Sequence, residues 1–229
     1  MRHRPFLHGA LRAAIVCCAL APRTVVAQAW VYPSFQPPRV VAREYNFGFA
    51  DGAGTTLLFQ WREGRSLRNQ LSLDVGFTDN SSFRGADVFF VGGQFAHQLA
   101  VARAEMPFDL LWTLGANAAF SNPSNYVRVP VGLSIGHRFP LEGGMAIAPY
   151  AHPRLSVDFC SDCQFVSAGV FHDSHTDVAI SFDLGASFEF SRQFAARISA
   201  QFGSSENFPL DDNAFGVSLA WRPPGLGLR

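Results

Sequence analysis

Cys160 and Cys163 stand two residues apart, and His172 and His175 follow within a dozen positions. Two thiolates and two imidazoles are a tetrahedral zinc donor set. The same spacing suits a small disulfide staple, and a CxxC pair alone is a weak metal signal. In an exported chain the oxidising surroundings favour the disulfide, so a Cys160–Cys163 bridge is expected, with zinc on Cys160, Cys163, His172 and His175 as the alternative. Asp173, Ser174 and Asp177 beside the two histidines supply hydrolase-like residue types, but spacing along a loop supplies no geometry. No catalytic residue and no cofactor site is assigned.

A second set is spread over the chain: Arg62, Asp74, Arg128, Arg138, Arg154, Asp158, Asp183, Glu189, Arg197 and Arg222. They share one property, which is that each falls on the polar parity of a segment whose other parity is apolar. Side chains of a strand point alternately to opposite faces. From Asp177 to Ser191 the even positions are Val178, Ile180, Phe182, Leu184, Ala186, Phe188 and Phe190, while the odd ones include Asp177, Ser181, Asp183, Ser187 and Glu189. The segments 71–78, 194–203 and 215–222 repeat the pattern, and weaker versions lie near 44–51, 55–63, 87–99, 107–120, 126–139 and 145–158. About ten strands result, with eight as the alternative, each near the length that crosses a bilayer when tilted. Pro130, Pro149 and Pro153 fall inside these segments and withhold ladder donors, so the register near 145–158 is the least secure.

The chain is 48% hydrophobic, 14% aromatic and 16% charged, with 23 Phe and no Lys. Soluble domains carry more charge, yet no apolar run reaches the ~20 residues of a membrane helix. Apolar content spread out by alternation suits a membrane barrel. Arg2, Arg4 and Arg12, the apolar stretch Ala13 to Ala21, and Ala27-Gln28-Ala29 have the order of a secretory signal peptide cleaved after Ala29. Four Arg and no acid leave with residues 1–29, so 14 Arg face 18 Asp and Glu, a formal charge of −4. Nucleic acid is not an expected partner.

A soluble lipid-carrying barrel also alternates, but its second face meets bulk water. Here that face carries Gly76, Gly115, Gly132, Gly136, Gly185, Gly203 and Gly216 among mixed charges, which suits a narrow lumen. With the strands running up and down from a periplasmic start, Tyr45, Trp61, Phe108, Phe139, Phe190, Phe194 and Trp221 fall near one edge. Phe49, Phe77, Phe89, Phe120, Phe159, Phe202 and Phe215 fall near the other. Two such belts mark a barrel's lipid interfaces. The same topology makes Cys160 to His175 and Ser204 to Asp212 outer loops, and Ser191 to Gln193 and Pro140 to Gly144 shorter periplasmic turns.

The mature chain resembles the small outer-membrane β-barrel proteins of Gram-negative bacteria, of the OmpA, OmpX and OmpW kind. Its last strand carries Gly216, Leu219 and Trp221, which match the spacing of that group's assembly signal. Ala214 stands where a polar residue is usual, and residues 223–229 extend beyond the final aromatic. The resemblance implies outer-membrane lipid and the barrel-assembly machinery as partners.

The expected organisation is a signal peptide (1–29), an N-terminal arm (30–43), a barrel (44–222) and a tail (223–229). The fold class is all-β, a closed antiparallel up-and-down transmembrane barrel. The expected function is non-enzymatic: a cell-envelope or surface role for a barrel with a narrow polar lumen. A porin-like small-solute channel is the first alternative and a periplasmic lipid-binding carrier the second. The oligomeric state is left open.

Overall fold

The computed structural model describes residues 32–52, 54–79, 87–122, 124–167, 170–205 and 213–225, with backbone alone at 162–167, 170–173, 175, 204 and 205. The signal peptide and its cleavage site lie outside the described residues. No helix among those described is long and apolar enough to cross a membrane, which says nothing of strands.

The strands are β1 (Arg43–Asp51), β2 (Thr55–Gly64), β3 (Asn69–Asp79), β4 (Val88–Ala100), β5 (Asp109–Phe120) and β6 (Asn125–Gly136). They continue as the two-residue β7 (Phe139–Pro140), then β8 (Ala146–Ser167), β9 (Val170–Glu189), β10 (Phe194–Ser205) and β11 (Ala214–Trp221). Each pairs antiparallel with its chain neighbour, and β7 merely extends the edge of β8. Two further pairings close the cylinder. β6 bonds past β7 to β8, and β1 bonds to β11 from Tyr45↔Trp221 to Asp51↔Phe215. The fold is therefore a closed up-and-down barrel of ten strands. Closure leaves no sheet edge along the wall.

The two parities separate as the sequence requires. On β11, Ala214, Gly216, Ser218 and Ala220 point inward, while Phe215, Val217, Leu219 and Trp221 point out. Large apolar side chains cover the outside, up to 61% exposed at Phe47 and 64% at Ile180, whereas Glu44, Arg62, Arg197 and Asp183 are buried inside. A lipid carrier needs the reverse arrangement.

The prolines fit without breaking register. The β5–β6 ladder lapses between Leu114↔Val131 and Asn117↔Arg128, opposite Pro130, and resumes in phase. The β6–β8 ladder likewise lapses between Gly132↔Arg154 and Ile135↔Ala151, beside Pro153. Pro149 keeps its place opposite Ala186.

Two loop expectations need correction. The stretch Cys160 to His175 is not a loop over most of its length. β8 and β9 continue as a paired hairpin to Ser167↔Val170, beyond the last β6 partner at Asn125↔Ser161. Connection length also does not distinguish the two ends. The 101–108 connection, at the end holding the strand termini Arg43 and Trp221, matches 80–87 at the far end. What sets the far end apart is the projecting hairpin. The reason is physical: the alternation that marks a strand is masked in a stretch rich in Ser and Asp, which are also turn formers.

Candidate functional site

The lumen near the terminal end is an ionic network built from the starts of β1 and β10 and the ends of β2, β9 and β11. Glu44, fully buried, accepts from three arginines: Arg62 Nη1 at 2.8 Å, Arg197 Nη2 at 2.6 Å and Arg222 Nε at 2.9 Å. Arg222 also reaches Glu189 at 3.2 Å, and Glu189 accepts from Arg138 Nε at 2.7 Å. Deeper, Arg154 donates to Asp183 at 2.8 Å and to Gln201 at 3.0 Å. Arg128 grips Asp158 with two bonds of 2.9 and 2.7 Å. Charges as buried as Glu44, Arg62, Arg197 and Asp183 persist only when paired and hydrogen-bonded.

The lumen also holds the chain's own N-terminal arm. Residues 32–42 belong to no strand, yet Phe35, Gln36 and Tyr32 are buried. The arm turns back from β1 into the barrel, held at each step by the wall. Near the terminal end, Val41 N–H donates to Gln70 Oε1 at 3.1 Å and Val40 N–H to Gln98 Oε1 at 2.9 Å. Arg39 lies 3.4 Å from the Asp109 carboxylate. Gln98 Nε2 donates to Pro38 O at 2.8 Å, and Ser134 Oγ to Gln36 O at 2.7 Å. Arg62 Nη2 reaches Phe35 O at 2.8 Å and Ser34 O at 3.2 Å, and Gln60 Nε2 shares Ser34 O at 3.2 Å. A backbone that pairs with no strand must otherwise leave its polar groups unmet. Pro33, Pro37 and Pro38 lower that demand, since proline has no N–H.

Phe35 is the pivot. Its φ is +47°, a rare conformation for a bulky residue that persists only where its surroundings enforce it. The ring fills the space left by two glycines: a Cβ on Gly216 would lie 2.6 Å from Phe35 Cζ, and one on Gly48 3.2 Å from Cε2. Beyond it, Tyr32 stacks on Phe90 with centroids 4.7 Å apart. These residues form an apolar cluster with Ala50, Leu58, Val88 and Ala119, toward the far end of the lumen.

Ser34 brings together the residue types of a hydrolytic triad, and their geometry decides against that use. Its Oγ donates to Asp183 Oδ2 at 2.5 Å and lies 2.8 Å from His152 Nδ1, while Thr113 Oγ1 lies 3.0 Å from Nε2. A nucleophilic serine donates to the histidine, which is oriented in turn by the carboxylate. Here the serine hydroxyl donates to the carboxylate and not to the imidazole, and the second ring nitrogen faces Thr113. Ser34 N–H donates to the same Asp183 oxygen at 3.0 Å. The arrangement fastens the arm to the wall through Asp183.

All ten charged residues singled out above join these networks; Asp74, on the inward parity of β3, is hydrogen-bonded to Gln60. Arg138 and Arg222 sit just past the strand ends. The aromatic residues of both belts face outward. Trp61, Tyr45, Trp221 and Phe194 are successive register partners at the terminal end, and Phe77, Phe89 and Phe120 at the far end. Phe49, Phe159, Phe202 and Phe215 lie exposed on the far half, and Phe108, Phe139 and Phe190 on the terminal half. Leu219 and Trp221 face out of the closing strand, while Gly216 faces Phe35. Cys160 is disulfide-bonded; the side chains of Cys163, His172 and His175 lie outside those described.

Sequence reasoning missed Glu44, Ser34, Gln36 and His152. Glu44 shares the inward parity of Asn46, Gly48 and Ala50, and His152 that of Arg154, so parity could have found both. An arm without periodicity carries no comparable signal.

No protein-family model matches the chain, and no curated protein is similar to it. Among solved structures, a KdgM porin in complex with disordered oligogalacturonate is 8% identical, with a TM-score of 0.41, covering 79% of this chain and 99% of that one. The beta domain of the Bordetella autotransporter BrkA is 10% identical, with a TM-score of 0.43 and the same coverage of 79% and 99%. OmpT, an outer membrane protein of Vibrio cholerae, is 10% identical, with a TM-score of 0.31, covering 73% of this chain and 56% of that one. At such identities nothing follows about what this barrel carries.

Proposed function

We infer that the protein is a non-enzymatic barrel of the bacterial outer membrane, sealed at rest by its own arm and acting through its outer surface in the cell envelope. The observation that carries this reading is the pairing of an apolar outside with a lumen occupied by residues 32–42. An apolar belt of this extent is stable against lipid and not against water. An export signal over residues 1–29, an assembly role for Gly216, Leu219 and Trp221, and a Cys160–Cys163 staple in the projecting hairpin complete the proposal. So does membership of the small barrels of the OmpA, OmpX and OmpW kind.

Fractionation and conductance test it together. The protein should pellet with outer membranes and need detergent for release. Reconstituted in planar bilayers, the intact chain should give no steady openings. Recovery from the soluble periplasm would overturn the membrane reading, and steady discrete openings would overturn the seal. A small-solute channel is the second reading, favoured by a wall whose terminal half is polar and carries both signs of charge. It requires the arm to leave.

A further inference from the structure

We propose that the lumen wall is a peptide-binding site, occupied in cis by residues 32–42, and that an extended peptide of the same chemistry can occupy it in trans once the arm is displaced. The inference rests on the sealed-barrel reading and adds to it that the seal is a bound ligand and not a permanent part of the core.

The contacts are those of peptide recognition. Carbonyl oxygens of Ser34, Phe35, Gln36 and Pro38 accept from Arg62, Gln60, Ser134 and Gln98. Backbone N–H groups of Ser34, Val40 and Val41 donate to Asp183, Gln98 and Gln70. Main-chain bonds give affinity with little side-chain preference, and specificity falls to the few positions that enter pockets. Phe35, between Gly48 and Gly216, is that position, and Ser34, read by Asp183 and His152, is the second.

The wall beneath the arm is built from Arg, Asp, Gln and Ser side chains, which water can satisfy when the arm departs. A permanent plug would be expected to expose apolar wall on leaving. Here the apolar cluster is confined to the seats of Phe35 and Tyr32. The tether to β1 gives the arm an effective concentration on the order of mM, so an outside peptide competes poorly with it in the intact chain. The preferred occupant is an extended, proline-containing peptide with one aromatic residue next to a hydroxyl.

The probe is a fluorescent synthetic peptide of residues 32–43, added to two proteins: full-length Phe35→Ala, and a chain lacking residues 32–42. Folding of each is checked by heat-modifiable gel mobility. Full-length Phe35→Ala should show discrete openings in planar bilayers, where the unaltered chain is silent. Peptide added from the side of the strand termini should close them. The arm-less protein should bind the peptide with a Kd below roughly 1 mM, and a peptide carrying Phe35→Ala should bind at least about tenfold more weakly. A folded arm-less barrel that ignores the peptide, or binds both peptides alike, overturns the proposal. If the arm-less chain does not fold, the full-length variant decides: openings that the peptide closes support the site, and a folded Phe35→Ala protein that stays shut overturns it. Conductance by the unaltered chain would instead overturn the resting seal, leaving peptide binding to stand or fall separately.

Discussion

Two ion pairs join β1 to β2 one residue apart, and they are physically different objects. Glu44 and Arg62 face each other across the ladder and point into the lumen, where their side chains are 0% and 2% exposed. Arg43 and Glu63 are the adjacent partners, point outward at the rim, and are 36% and 17% exposed. The rim pair is bidentate, at 2.5 and 2.7 Å, and by bond geometry alone it is the better of the two. What separates them is the medium: inside, desolvation makes each partner depend on the other, whereas at the rim water can replace either. The same contrast recurs around the terminal half of the barrel. The outer face is stabilised by being apolar, with no particular partner, and the inner face by named contacts.

The largest expected effect therefore comes from the inner carboxylate. Glu44→Ala removes the shared acceptor of Arg62, Arg197 and Arg222 and leaves three guanidinium groups around an empty centre. Losing one partner of a buried pair costs about 3–5 kcal/mol. The urea midpoint for loss of heat-modifiable mobility should fall accordingly, or the variant should fail to fold. A loss below ~1 kcal/mol, of the size seen for surface pairs, would mean that water reaches the network and the comparison fails.

On the outer face the chemistry of the substitution decides, not the site. Ile198 lies midway along β10, 42% exposed, beside the inward Arg197. Ile198→Arg should cost about 2–4 kcal/mol, the penalty for a charge near the bilayer midplane, while Ile198→Leu should stay below ~1.5 kcal/mol. Refolding into lipid vesicles measures both. A neutral Ile198→Arg would show that this face meets water.

Gly216 lets the assembly reading be separated from the lumen reading. A side chain there collides with Phe35, so Gly216→Val should cost about 1–3 kcal/mol as overpacking. In a Phe35→Ala background most of that cost should vanish, a coupling that a double-mutant cycle reads directly. If Gly216→Val is equally harmful with and without Phe35, the glycine serves assembly and not the seat of the arm.

The difference between the faces also explains what could be read from the sequence. Ten strands, their parity and the outward aromatics follow from a period of two, because lipid asks only that alternate residues be apolar. The lumen asks for complementarity, which no period encodes. Arg62 and Arg197 were legible as inward charges, but their convergence on Glu44 depends on β1 closing against β11, a contact between opposite ends of the chain. Ser34 and Phe35 sit in a coil whose composition, three prolines and no alternation, reads equally well as a linker. Its burial is a property of the cavity it enters. The β8–β9 hairpin was hidden for a related reason: beyond Ser161 it has no β6 partner, and its strands are held by each other.

The smallest effect is expected at the rim. Glu63→Gln removes the charge facing Arg43 but leaves both side chains able to meet solvent, so the change should lie within about 0–1 kcal/mol. It should also shrink as salt is raised toward ~1 M, where charges are screened within about 3 Å. The loss at Glu44 should persist at the same salt, since buried charges are screened far less. Measured side by side, the two salt dependences test the comparison more sharply than either midpoint. Should Glu63→Gln prove as costly as Glu44→Ala and equally indifferent to salt, the rim pair would lie in a low-dielectric layer, and the apolar belt would reach down to Arg43.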